Sequence, residues 1–244
     1  MIRLLSLTLV LFLIGCSNKL GRVIDLEDHE GNYIDIFVLD DLSSDVRSEF
    51  EDKVSSNFSG TITYEIERIQ HDVLEWKGEE IKTFTPDQKG TFRIETKRYK
   101  NGFLAKNVFE LAYLGYVQLD VQAYQPGYKY FWPNHFLGDI EFKESNPEVG
   151  LQYDYWFGPR SSIHGGHTKR SVVCEPEGEH YPASDLHEDI PGDALDFICS
   201  LRQENGVLIG DDLVSYLFDS KTFVLKTERT VSGTSHYKIK SFEK

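Results

Sequence analysis

Histidine and acidic side chains cluster in one part of the chain that is also rich in glycine and proline. Asp185, Glu188 and Asp189 lie there with four of the eight histidines, His164, His167, His180 and His187. Zn²⁺ takes three or four imidazole, thiolate or carboxylate ligands, so a zinc-dependent hydrolase using residues 164–189 is one hypothesis. The spacing matches no closed zinc motif, and we favour a solvated polar loop that holds no cofactor. Because no Gly-x-Ser-x-Gly elbow or Gly-rich phosphate loop is present either, we expect binding and not catalysis.

Aromatic side chains are abundant and locally dense. The chain contains 3 Trp, 13 Tyr and 16 Phe, which make up 13% of its residues. They concentrate at residues 124–136 and 153–157, which include Tyr128, Tyr130, Trp132, Tyr155 and Trp156. One strand face cannot bury so many rings, whereas a concave sheet lined by them would hold an apolar ligand such as a lipid or acyl chain. A fully packed core without room for a ligand is the alternative.

The first sixteen residues indicate where the protein is located. Residues 4–14 form an apolar run that is too short to cross a bilayer as a helix, which needs about 20 residues, so residues 1–15 are predicted to be a signal peptide. The sequence Leu13-Ile14-Gly15-Cys16 that ends it resembles the bacterial lipobox. That resemblance implies cleavage before Cys16, a diacylglycerol on its thiol and an acyl chain such as palmitate on the new N-terminus. An ordinary signal peptide followed by an incidental cysteine is the alternative.

A lipidated Cys16 implies a protein anchored in the bacterial cell envelope by lipid alone. Residues 16–42 would then be a tether that contains a possible small hairpin. Ser17 after the cysteine resembles the signal for the outer membrane and not the one for the inner membrane, and the periplasmic and surface faces both remain open. Cys174 and Cys199 are the remaining cysteines, and in an oxidising compartment we expect them to form a disulfide bond. A catalytic thiol is the alternative.

Most of the chain alternates between polar and apolar residues. Ile62, Tyr64 and Ile66 share one face of a strand, and Asn101-Gly102 predicts a hairpin turn between two further strands. The pattern predicts a mainly β (α+β) fold over residues 43–244, with one curled antiparallel sheet or half-barrel meander. Helices are predicted at 43–56, as an N-terminal plug, and at 193–204. An irregular insertion stapled by the disulfide is predicted at about 158–206.

Several short motifs resemble those of the lipoprotein-carrier superfamily. They are Phe58-Ser59-Gly60-Thr61, Gly90-Thr91-Phe92-Arg93-Ile94, Tyr216-Leu217-Phe218-Asp219-Ser220-Lys221-Thr222 and Leu225-Lys226-Thr227-Glu228. The resemblance covers about 43–157 and 207–242. It implies an open half-barrel around a plugging helix, with an apolar cavity for acyl chains. Arg93 occupies the position where the carriers have an aromatic-Arg pair, so the resemblance makes it a candidate ligand-binding residue.

Charge and composition narrow the classes of function. The formal charge is −14, with 40% hydrophobic and 27% charged residues, which is typical of a globular protein and excludes general binding to nucleic acid. The sequence therefore predicts a non-enzymatic envelope lipoprotein that binds an apolar ligand or a protein partner. The metal-dependent hydrolase and a purely structural or interaction lipoprotein are the alternatives.

Overall fold

The alternation of polar and apolar residues places most of the chain in β-strands. We describe this fold from a computed structural model, which defines residues 39–53, 55, 56, 58–124, 135–159 and 168–244. The predictions for the signal peptide, Cys16 and most of the tether lie outside the described residues, as do those for Tyr128, Tyr130, Trp132, His164 and His167. Within the described residues, no helix is long and apolar enough to span a membrane.

Twelve antiparallel strands form one sheet, which confirms the predicted mainly β fold. The strands are β1 (Gly60–Gln70), β2 (Val73–Pro86), β3 (Thr91–Lys100), β4 (Phe103–Tyr113), β5 (Val117–Tyr124), β6 (His135–Glu144), β7 (Leu151–Pro159), β8 (Thr168–Pro182), β9 (Asp193–Gln203), β10 (Leu208–Leu217), β11 (Thr222–Thr230) and β12 (Gly233–Glu243). Each strand pairs with its neighbours in sequence, and β1 also pairs with β12. The curled sheet therefore closes into a barrel.

The two ends of the barrel are built differently. At one end, which we call the closed end, the connections are residues 87–90, 114–116, 145–150, 183–192 and 218–221. At the other end, which we call the rim, the described turns are residues 71–72, 101–102, 204–207 and 231–232. Asn101 and Gly102 have φ angles of 53° and 79°, so the predicted hairpin turn at the rim is confirmed.

The β4–β5 turn crosses the closed end and reaches the opposite wall. The carbonyl oxygen of Leu114 accepts hydrogen bonds from the Phe223 backbone N–H at 2.8 Å and from Thr222 Oγ1 at 3.1 Å. Gly115 has a φ of +73°, and a Cβ atom there would lie 2.5 Å from Thr222 Oγ1. Glycine is required at this position because any side chain would push the turn away from β11.

The N-terminal helix is shorter than predicted. It covers Ser44–Ser48 (α1) out of the predicted 43–56, and Ser43 caps it by accepting a hydrogen bond from the Val46 backbone N–H at 3.3 Å. After α1, the fully buried Phe50 packs edge-on against Tyr113 and Phe142, with ring centroids 5.3 and 5.5 Å apart. The helical segment therefore packs against the closed end of the barrel. The β4–β5 turn, and not a helix, crosses this end.

The prediction of a helix at 193–204 is wrong, because these residues form β9. Leu195, Ile198 and Leu201 have helical spacing, but Leu195, Phe197 and Leu201 also fit a period of two, and short apolar runs fit both patterns. β8 and β10 flank the segment and supply hydrogen-bonding partners along its length. The predicted irregular insertion at 158–206 is likewise mostly β8 and β9, with an irregular connection only at 183–192 among its described residues.

The predicted disulfide bond is confirmed. Cys174 on β8 and Cys199 on β9 lie opposite each other in the ladder, and their Sγ atoms are 2.07 Å apart. Both cysteines are buried. The bond links two neighbouring strands of the barrel wall. The sequence analysis expected it to link a loop to a helix instead.

Candidate ligand-binding cavity

A cavity of about 370 Å³ lies inside the barrel. Residues that face each other across an antiparallel ladder point to the same side of the sheet, and the residues around the cavity share the inner side. They come from nine strands and the β4–β5 turn, and they are Tyr64, Lys82, Phe84, Glu110, Gly115, Tyr116, Gln118, Tyr153, Tyr155, Arg170, Val172, Leu201, Asp212, Phe223, Leu225 and Glu228. The cavity is therefore the lumen of the barrel and not a groove on its surface.

Aromatic rings form the part of the cavity wall nearest the closed end. Tyr116 and Phe223 meet there with ring centroids 5.8 Å apart. Beneath them Phe84 packs against Phe58 and Phe92, with centroid distances of 5.4 and 5.8 Å. The four phenylalanine rings are buried and Tyr116 is partly exposed, so the cavity has an aromatic and largely apolar floor.

Charged and polar side chains form the rest of the wall. Gln118 Nε2 donates a hydrogen bond of 2.6 Å to Glu110 Oε2, and Tyr155 is hydrogen-bonded to Arg170 on the neighbouring strand. Tyr116 donates a hydrogen bond of 2.9 Å from its hydroxyl to Asp212 Oδ2. The lumen thus offers a ligand both apolar contact and hydrogen-bonding groups.

Asp212 is the most perturbed acid of the cavity wall. Burial raises the pKa of its carboxyl to about 6, although the hydrogen bond from Tyr116 lowers it, and the negative charges of Glu228 and Asp211 add to the increase. Asp212 and Glu228 occupy directly opposed positions of the β10–β11 ladder. Because two like charges in a poorly solvated site repel, Asp212 stays mostly protonated up to about pH 6 and is ionised above it. Asp212 can therefore donate or accept a hydrogen bond according to its protonation state.

A buried ion pair separates the cavity from the rim. Glu80 is 1% exposed, and Arg98 donates to its Oε2 from Nε at 2.7 Å and from Nη2 at 2.6 Å. Arg98 also contacts the Tyr237 hydroxyl at 3.4 Å, and that hydroxyl donates to Glu228 at 3.3 Å. Lys82 lies 3.7 Å from Glu80. The network fixes the orientation of charged side chains on β2, β3 and β11 and of Tyr237 on β12.

The structure brings only one of the described sequence candidates into the cavity. Tyr155 lines it, whereas Trp156 is the next residue on the strand and faces the other way. Arg93 pairs with Thr85 and Leu111 on the outer face of the sheet, so it does not reach the lumen. The Arg93 position taken from the carrier resemblance therefore does not mark this cavity.

The two described histidine candidates make separate contacts. His180 stacks on the Phe218 ring with centroids 4.7 Å apart, and His187 Nε2 lies 3.0 Å from the Lys240 carbonyl oxygen. Within the residues that the structure defines, no group of three or more His, Cys, Asp or Glu side chains is placed to hold a metal ion. The described part of the structure thus offers these histidines no shared ligand set.

Sequence reasoning missed the charged cavity residues because it assigned every polar strand position to solvent. Lys82 and Glu110 have apolar neighbours such as Ile81 and Phe109, which look better suited to the interior, whereas Arg170 and Glu228 stand beside other charged residues. One signal was available in the sequence. Asp211-Asp212 places two adjacent acids in a strand, so one of the two must face inwards.

Solved structures that are similar to this chain include two proteins of unknown function. One is a β-barrel-like protein of a domain of unknown function, DUF1849, from Brucella abortus, with 11% identity, a TM-score of 0.43, and coverage of 77% of this chain and 98% of that chain. The other is a DUF1329 family protein from Desulfovibrio piger, with 6% identity, a TM-score of 0.38, and coverage of 82% of this chain and 93% of that chain. No family model and no curated protein matches the chain.

Proposed function

We propose that the protein binds a small amphipathic molecule in the lumen of its barrel. The observation that carries this proposal is the cavity of about 370 Å³, which lies inside the sheet and has aromatic residues on one side and charged residues on the other. Its volume is in the range of sites that hold small molecules, which is roughly 300–1,000 Å³. Aromatic surface would bind the apolar part of the ligand, and polar groups would fix its orientation.

The polar wall changes the class of ligand expected from the sequence. A hydrocarbon chain alone would displace water from Asp212, Lys82 and Arg170 without replacing its hydrogen bonds, which is unfavourable. A ligand with hydroxyl, amine or acidic groups beside an apolar body can satisfy these side chains. We therefore replace the expected apolar ligand with an amphipathic one.

Two substitutions on β9 test the proposal. Leu201 lines the cavity, so Leu201→Trp fills the lumen, while Ile198 faces outwards and is 37% exposed, so Ile198→Trp is the matched control. Native mass spectrometry of protein isolated from bacterial envelopes should show a co-purified small molecule on the wild type and on Ile198→Trp. Leu201→Trp should carry none. Lumenal binding would be contradicted if the wild type carried no small molecule, or if all three proteins carried the same one.

We also propose that the chain is a lipoprotein anchored through Cys16, in the outer membrane of a bacterium. The support is the apolar run of residues 4–14 and the sequence Leu13-Ile14-Gly15-Cys16 that follows it. Acyl chains that each bury many CH₂ groups, at about 0.8 kcal/mol per group, would hold the protein stably at the membrane. Intact mass measurement should find an acylated Cys16 at the N-terminus, and Cys16→Ser should abolish that mass. Processing at another residue would refute the assignment.

A further inference from the structure

Three carboxylates that line the lumenal cavity are held by uncharged hydrogen-bond donors. They belong to Glu110, Asp212 and Glu228. Their donors are Gln118 Nε2 at 2.6 Å, the Tyr116 hydroxyl at 2.9 Å and the Tyr237 hydroxyl at 3.3 Å, respectively. Within the described part of the chain, none of the three carboxylates forms an ion pair with a Lys, Arg or His side chain. The cavity wall therefore presents acids that no basic side chain of the described residues neutralises directly.

Positive charge in the lumen collects around Glu80 and not around Asp212. Arg98 donates to the Glu80 carboxylate from two nitrogens, and Lys82 lies 3.7 Å from the same carboxylate. Lys106 is opposite Arg98 in the β3–β4 ladder, and burial together with the Arg98 charge lowers the pKa of its ammonium. Lys82 lowers the pKa of Asp212 by less than the neighbouring acids raise it. The surroundings of Asp212 thus remain negative and favour an added positive charge.

Three tyrosines line the cavity close to Asp212. Burial is the largest cause of the raised pKa of the Tyr116, Tyr153 and Tyr155 hydroxyls, and the Asp212 charge adds to it in each case. The rings of Tyr153 and Tyr155 have centroids 5.9 Å apart, and the ring of Tyr116 packs against Phe223 at 5.8 Å. Aromatic rings attract cations, most strongly where water is excluded. Rings beside a buried carboxylate are the combination that suits an organic cation.

Arg170 is the base of the cavity wall that lies nearest these tyrosines. It is opposite Tyr155 in the β7–β8 ladder and is hydrogen-bonded to the Tyr155 hydroxyl. An anionic ligand could pair with Arg170, but it would also face the three acids of the wall. A cationic ligand would meet three acids and be repelled mainly by this one arginine, which already has a partner. The charges of the wall therefore favour a cation over an anion.

We propose that the lumenal ligand is an organic amine in its protonated form, with its ammonium group between Asp212 and the three tyrosines and its apolar body on the aromatic floor. This inference rests on the proposed lumenal function and names the class of ligand for it. The ammonium group would donate a charge-assisted hydrogen bond to the Asp212 carboxylate, which otherwise accepts one from Tyr116. It would also be attracted by the surrounding rings.

Three probes that share one apolar body test the class of ligand. Phenethylamine, phenethyl alcohol and phenylpropionate carry an ammonium, a hydroxyl and a carboxylate group, and isothermal titration calorimetry at pH 8 measures their binding to the full chain. Wild type should bind phenethylamine at least about tenfold more tightly than the other two. Asp212→Asn should lose this preference and keep its affinity for phenethyl alcohol. Asp211→Asn, at the neighbouring surface position of β10, is the control and should bind like wild type.

The affinity for phenethylamine should also depend on pH through Asp212. The titratable groups that act on Asp212 or are acted on by it are Lys82, Tyr116, Tyr153, Tyr155, Asp211 and Glu228. Because the pKa of Asp212 is raised to about 6, its carboxylate is mostly protonated at pH 5 and cannot pair with an ammonium group. Wild type should therefore bind phenethylamine about tenfold more weakly at pH 5 than at pH 8, whereas the affinity of Asp212→Asn should change much less.

Several results would overturn the amine. These are equal affinity for phenethylamine and phenethyl alcohol, a preference for phenylpropionate, and wild-type amine binding by Asp212→Asn. Absence of binding by all three probes would overturn it as well. None of these results decides whether the lumen binds a ligand at all, because native mass spectrometry of wild type and Leu201→Trp tests that function separately through the co-purified molecule.

Discussion

Replacing Asp212 with Asn should stabilise the protein at neutral pH. The pKa of Asp212 is raised from 3.8 to about 6, mainly by burial. A difference of one in pKa corresponds to about 1.4 kcal/mol, so the ionised carboxylate destabilises the folded state by about 3 kcal/mol. Asn has nearly the same shape, never ionises, and can still accept the hydrogen bond from Tyr116. Its free energy of unfolding should therefore exceed that of wild type by about 3 kcal/mol above pH 7.

The difference in stability between wild type and Asp212→Asn should depend on pH. Below about pH 4, Asp212 is protonated in both the folded and unfolded states, so the two proteins should be equally stable. Between about pH 4 and 6 the folded state binds the extra proton, so wild-type stability falls relative to the variant as the pH rises. Urea unfolding at pH 4, 5, 6 and 8 would measure the difference. A constant difference across this range, or none at pH 8, would refute the reasoning.

Asp211→Asn is the matched control for this experiment. Asp211 is the neighbouring residue on β10, and its Oδ1 accepts a hydrogen bond of 2.8 Å from Arg229 at the surface. Its substitution should produce no gain in stability at any pH, because it removes a surface ion pair worth about 1 kcal/mol or less. A gain as large as that of Asp212→Asn would mean that net charge, and not burial, is responsible.

Three further predictions concern the barrel wall. Replacing Cys174 and Cys199 with Ser should lower the free energy of unfolding by about 2–4 kcal/mol in urea, and a reductant should have no further effect on that variant. Gly115→Ala should cost about 1–3 kcal/mol, more than Gly102→Ala, because both glycines have positive φ but only Gly115 is crowded by β11. Equal losses would exclude the close approach. Arg98→Gln leaves a buried carboxylate of β2 without its main partner, so thermal unfolding should reveal a loss of about 3–5 kcal/mol.

Most strands were predictable from the sequence, because side chains alternate between the two faces of a sheet. Alternation of side chains and the Asn101-Gly102 turn identify hairpins locally, without knowledge of the rest of the chain. β9 was not predictable in this way, since Leu195, Ile198 and Leu201 fit a helix as well as a strand. Pairing with β8 and β10 decides in favour of a strand, and pairing is a property of the whole sheet.

The candidate site was harder to predict than the fold. A sheet with one solvated face would point Lys82, Glu110 and Asp212 outwards, and each residue alone is compatible with that interpretation. Closure of the barrel between β1 and β12 is what puts them in a shared interior. Tyr155 was predicted as part of a run of aromatic residues, but the same reasoning also selected its neighbour Trp156, which faces away from the cavity.

The two ends of the barrel differ in packing, and this difference indicates where a ligand would enter the cavity. In the described residues, Phe50, Phe58 and the β4–β5 turn pack the closed end, so a ligand has no passage there. Towards the rim, the wall above the cavity is built from hydrogen-bonded charged groups such as Arg98 and Glu80 and not from packed aromatic rings. We therefore expect the ligand to enter from the rim. Asp212 lines the lumen that such a ligand would reach, and its buried carboxylate destabilises the fold at neutral pH, which is typical of a side chain kept for binding or catalysis.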